Sequence, residues 1–130
     1  GAHAARLQLI KQDIADNLGQ PGLSVAALAA RHNCTPRFIQ RLFETEGSTL
    51  TRYVLGQRLA RAHRMLADPR LVNEKISSVA FDCGFGDVSY FNRVFRHQYG
   101  AAPSDVRAEA LRIAAPLRPV SPCPPSPRSP

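Results

Sequence analysis

Two stretches of this chain carry one pattern, and that repeat limits the fold more than any other feature. Ala29-x3-Asn33 lines up with Ala80-x3-Gly84 at a separation of 51 residues. Thr35 lines up with Asp87, Ile39 with Phe91, and Arg41-Leu42-Phe43 with Arg93-Val94-Phe95, now at a separation of 52. The second copy therefore holds an extra residue in its turn. Each copy reads the same way physically. A small residue lets two helices cross closely, and Asn33 or Gly84 tolerates the left-handed turn between them. Thr35 or Asp87 then caps a second helix with an apolar stripe. Such a unit is a helix-turn-helix hairpin.

The remaining segments fit an all-α chain of about seven helices. Leu7, Ile10, Ile14 and Leu18 predict an amphipathic helix over 6–18, stopped by the GQPG run at 19–22. Ser24 caps a helix over 25–32, and Pro36 opens the next at a position where its missing N–H costs nothing. Phe38, Ile39, Leu42 and Phe43 face inward there, while Arg37, Gln40, Arg41 and Glu44 face outward. Thr49 or Thr51 starts a longer helix to about Ala67, with Leu55, Leu59, Ala62 and Leu66 as its stripe. Residues 68–75 read as a loop. Two short helices follow within 76–100, and Ser104 is expected to cap a last one over 105–113. The expected organisation is one domain over 1–115. It holds a first helix-turn-helix at about 24–47, a linker helix at about 50–67 and a second helix-turn-helix at about 76–100. Residues 116–130 hold seven of the eleven prolines, cannot build a core, and are expected to be extended or disordered.

Charge bears on the partner. The formal net charge is +7 and the pI about 10.2, which fits a polyanion. Fifteen of the 17 basic residues are Arg, the side chain suited to bidentate contact with phosphate and guanine. The exposed face of the helix at 88–99 (Val88, Ser89, Asn92, Arg93, Arg96) is free to enter a DNA groove. A linker helix of about 17 residues would span roughly 26 Å. Joined by it, two recognition helices could reach successive major grooves about 34 Å apart on one face of a duplex.

The residues resemble the DNA-binding domain of AraC/XylS transcription regulators. The matching stretches are LSVAALAARHNCTPRFIQRLFETEG, the basic RYVLGQRLARAHRML, and ISSVAFDCGFGDVSYFNRVFRHQYGAAPSDVR. The last carries the most specific elements: Gly84-Phe85, Ser89-Tyr90-Phe91, Arg93-x-Phe95-Arg96 and Tyr99-Gly100. The resemblance implies two helix-turn-helix subdomains joined by a long helix. It implies sequence-specific binding to double-stranded promoter DNA and regulation of transcription, commonly activation through RNA polymerase, in the cytoplasm at the nucleoid. By position, Arg37, Gln40 and Arg41 should read bases from the first recognition helix, and Val88, Ser89, Asn92 and Arg93 from the second. Thr35, Arg58, Arg61, Asp87 and Arg96 are expected to contact phosphate or position the helices. Val88 replaces the polar residue common at its position and can meet only a thymine methyl, so the first helix is expected to read more strongly. The aromatics Phe85, Tyr90, Phe91 and Phe95 look structural. Relatives carry a separate N-terminal effector-sensing and dimerisation domain, which is expected to lie outside this sequence.

Two other functions remain open on sequence alone. Some methyl-transferring repair proteins fuse this kind of domain to cysteine chemistry. Here Cys83 sits on the inward stripe and Cys34 has no His or Asp spaced to activate it. No CxxC or CxxH occurs among Cys34, Cys83 and Cys123, so neither a metal nor another cofactor is expected. No apolar run reaches membrane-spanning length, so a membrane partner is not expected. A protein-interaction module that has lost DNA binding is the other alternative, mildly favoured by Val88.

Overall fold

Local side-chain chemistry starts and stops the helices, and the computed structural model describes residues 1–114. Seven α-helices follow in order: α1 (Ala2–Asp16), α2 (Val25–Arg31), α3 (Pro36–Glu44), α4 (Leu50–Leu66), α5 (Ile76–Asp82), α6 (Val88–Tyr99) and α7 (Pro103–Ala114). No strand is present among the described residues. The proline-rich stretch at 116–130, expected to be extended or disordered, lies outside them.

The expected caps are in place. The Ser24 hydroxyl accepts from the Ala27 N–H, that of Thr35 from Phe38, and that of Thr49 from Arg52. Asp87 accepts from both Ser89 and Tyr90 at the start of α6. Two local expectations are corrected. The 68–75 segment contains a 3-10 turn at Pro69–Leu71, because Asp68 accepts from the Arg70 N–H and closes it. The last helix opens at Pro103, so Ser104 lies inside it and is not its cap. Asp105 performs the closing contact instead, accepting from the Ala102 N–H at 3.3 Å.

Two apolar cores form, and α4 serves both. The first gathers Leu7, Ile10, Ile14 and Leu18 with Leu28, Ala29, Ile39, Leu42, Phe43 and Leu50. The second gathers Leu59, Ala62 and Leu66 with Val79, Ala80, Cys83, Phe85, Phe91 and Phe95. The N-terminal turn of α4 closes one hairpin and its C-terminal half supports the other. The second core holds a run of aromatics on α6. Phe91 lies 4.9 Å from Phe85 and 5.5 Å from Phe95, and Phe95 lies 4.8 Å from Tyr99.

The two turns superpose in their hydrogen bonding. Cys34 N–H donates to Ala29 O at 3.0 Å, and Phe85 N–H donates to Ala80 O at 3.0 Å. Asn33 and Gly84 both take positive φ, 54° and 99°. Phe85 is therefore the counterpart of Cys34, and Gly86 is the inserted residue. The two left-handed positions are not interchangeable. A Cβ on Gly84 would stand 2.6 Å from both the Leu18 carbonyl oxygen and Arg58 Nε, so only glycine fits there.

A polar clasp ties α1 to α2. The Asp13 carboxylate accepts from Arg31 Nε at 2.9 Å and from Asn17 Nδ2 at 2.7 Å, with His32 Nε2 at 2.8 Å. The Arg31 guanidinium, with a smaller contribution from His32, holds the Asp13 carboxyl below its ordinary value against the opposing effect of burial. A carboxylate with a depressed folded pKa stabilises the fold above its unfolded pKa, and that contribution is lost as the pH falls below about 4. Asp13→Asn is accordingly expected to lower the urea midpoint at pH 7. It should also remove part of the further loss seen on acidification, a difference that paired denaturation curves at pH 7 and pH 3 will measure.

Candidate nucleic-acid interface

α3 and α6 are the second helices of the two hairpins, and each buries one face while presenting a basic polar one. On α3, Ile39, Leu42 and Phe43 are buried, and Arg37, Gln40 and Arg41 are exposed. On α6, Phe91 and Phe95 are buried, and Ser89, Arg93 and Arg96 are exposed. Val88 and Asn92 are half-buried at the edge of that face.

Lys11, Arg31, Arg70 and Arg112 each contact a carboxylate (Glu46, Asp13, Asp68 and Glu109). Among the described residues, Arg37, Arg41, Arg93 and Arg96 contact none, a lack they share with Arg6, Arg52, Arg58, Arg61, Arg64 and Arg107. Four unpaired guanidinium groups on two capped helices are an electrostatic arrangement suited to a polyanion.

Asn92, Arg93, Arg96 and His97 line one shallow depression on α6. His97 was not among the expected contacts, although its spacing from Arg93 marks it in the sequence. Tyr90 is also placed differently from its structural expectation. It is 39 % exposed, and the Arg93 guanidinium lies over its ring at 5.2 Å from the centroid. The stacking holds the arginine against the helix surface and limits its rotamers.

Among the expected positioning residues, Thr35 and Asp87 act as caps, so they fix where α3 and α6 begin. Arg61 is half-buried on α4 and Arg96 is exposed on α6. Arg58 is half-buried on α4. Its Nε donates to the Leu18 carbonyl at 3.0 Å, across 40 residues of sequence, and burial lowers its pKa from the usual guanidinium value. Cys83 is fully buried, its Sγ 3.7 Å from Met65 Sδ, and desolvation pushes its pKa up to about 11. A thiol in that setting is poorly suited to nucleophilic chemistry. Gln40, Glu44, Phe85, Asp87 and Tyr90 border a groove of about 610 Å³ between the two hairpins.

Comparison with known proteins matches the fold. A helix-turn-helix domain family covers residues 28–109, spanning both hairpins and α4. A Chromobacterium violaceum transcriptional regulator with an AraC-type DNA-binding domain superposes with a TM-score of 0.75 at 25% identity, covering 82% of this chain and 93% of that one. The chain belongs to the AraC/XylS family. RhrA, a transcriptional activator of Rhizobium meliloti strain 1021, is 44% identical over 111 residues, covering 85% of this chain and 33% of its own length. The chain thus spans about a third of the length of the curated relatives it matches. The DNA-binding domain of AdpA, solved in complex with a target DNA, superposes at a TM-score of 0.70 with 27% identity, covering 88% of this chain and 97% of that one. No helix of the described residues is long and apolar enough to cross a membrane.

Within this AraC/XylS domain the α6 cap offers a clean perturbation. Asp87→Ala removes the acceptor for two backbone N–H groups. It is expected to cost about 1 kcal/mol of stability, read as a lower midpoint in thermal unfolding. Asp87→Asn should recover most of that loss, because the amide oxygen caps nearly as well.

Proposed function

We propose that this domain binds specific double-stranded promoter sites and regulates transcription, in the activating direction, by placing α3 and α6 in successive major grooves. The observation that carries the reading is the pair of capped helices whose outward arginines lack carboxylate partners. Arg37, Gln40 and Arg41 read base edges from α3, where Arg and Gln suit guanine and adenine respectively. Ser89, Asn92 and Arg93 do so from α6, with Val88 offering only apolar contact. Arg61 and Arg96 contact phosphate, and Thr35 and Asp87 hold the helix starts in place. The 17 residues of α4 connect the two readers within one chain. Activation follows the direction in the name of the RhrA relative and has RNA polymerase as its downstream partner. Effector sensing and dimerisation are assigned to sequence outside this chain.

Selection of bound duplexes from a random pool tests the reading. The expected result is an enriched motif of two half-sites, the α3 half-site more sharply defined. Retention of random DNA with no enrichment, or no retention at low salt, would overturn it.

A further inference from the structure

Three segments meet at one point between the two cores. The end of the α1 turn contributes the Leu18 carbonyl and Gly19. The middle of α4 contributes Arg58, and the α5–α6 turn contributes Asp82, Cys83 and Gly84. Arg58 Nε donates to Leu18 O at 3.0 Å. The Gly84 backbone lies directly against that hydrogen bond, since a Cβ there would be 2.6 Å from each of its two atoms and 2.9 Å from Arg58 Cζ. Gly19 closes the junction from the other side: a Cβ on it would stand 2.5 Å from the Asp82 carbonyl oxygen. Leu18 belongs to the first core, while Cys83 belongs to the second. The contact therefore links the first core to the second hairpin instead of lying within one core.

We infer that Arg58 is a positioning residue that fixes the register between the two recognition helices, and so sets the half-site spacing this chain accepts. Three features make it suited to that role. Its long side chain leaves α4 and bonds the Leu18 carbonyl just beyond the end of α1, beside the first core. The second hairpin's turn packs on the same bond with no side chain between, so a shift of the first core or of the second hairpin breaks it. The guanidinium is partly desolvated, so the hydrogen bond is a charge-assisted one sheltered from water. Without this strut, the two units are joined by α4 and by the close backbone packing at Gly19 and Gly84 alone. A helix of that length resists bending but leaves the α5–α6 turn free to rock about its packing against α4. The inference rests on the two-reader function proposed above.

Spacing tolerance is the measurement that separates this role from a phosphate contact or from general stability. The full chain and Arg58→Lys are titrated against the selected duplex and against the same duplex with one base pair inserted between half-sites. The insertion rotates and displaces the second half-site, and wild type is expected to lose about tenfold or more in affinity. Lysine keeps the charge but has no Nε–H in that position. Arg58→Lys is expected to shrink the penalty to below about threefold, because the two helices can then adjust. A full wild-type penalty in Arg58→Lys would overturn the inference, as would a wild type indifferent to the insertion. Gly19→Ala, which presses on the same junction without changing charge, gives the same readout should the lysine variant not fold. A wild type with no preferred sequence at all overturns the DNA-reading function itself, a different failure from these.

Discussion

Phe91→Ala is expected to lower the free energy of unfolding by about 3–5 kcal/mol, the range for emptying a well-packed aromatic site. Phe91 is fully buried and lies between Phe85 and Phe95 in the aromatic run of the second core. α5 and α7 are short or amphipathic helices that have little stability apart from this packing. For a domain of this size such a loss is a large share of the whole. Urea unfolding followed by helical circular dichroism will measure it. The second hairpin is expected to loosen first, and α6 would then no longer present Arg93 and Arg96 from a fixed surface. Phe91→Leu should cost distinctly less, since most of the volume is kept.

Arg41→Ala is expected to weaken binding to the selected site by about 1–3 kcal/mol and to flatten the base preference at the contacted position. Arg37 and Arg41 lie one helical turn apart on the exposed face of α3, without carboxylate partners among the described residues. A bidentate arginine contact to guanine supplies discrimination as well as affinity. Competition titrations against single-base variants will separate the two. An equal loss on the selected duplex and on random DNA would assign Arg41 to phosphate instead, with a smaller salt slope as its second signature. Removal of Val88 should have little effect on specificity, since it offers no hydrogen bond.

Much of this architecture was legible in the sequence because its determinants are local. Ser24, Thr35, Thr49 and Asp87 cap helices through their own side chains, and no distant residue is needed to place them. Asn33 and Gly84 announced two left-handed turns, and the helix at 88–99 was readable to the residue. The start of the last helix was misjudged by two positions because two local signals compete there. Ser104 is a good cap by type, but Pro103 can open a helix and Asp105 can reach back to Ala102 N–H. Tyr90 followed the stripe of Phe91 and Phe95 in type but not in register, so it came out on the surface beside Arg93. Arg58 was the least legible. Arg52, Arg58, Arg61 and Arg64 all read as one basic surface of α4. Which of them turns inward depends on where the α1 end falls, and no spacing within α4 encodes that.

The proposed geometry between two base-reading helices rests on the α4 connection and the Arg58 contact. Hydroxyl-radical footprinting of the full chain on its selected duplex, with binding stoichiometry measured in parallel, tests it most directly. The account predicts two protected patches about one helical turn apart on the same face of the DNA, produced by one chain per duplex. A single protected patch, or two patches that require two chains, would contradict it.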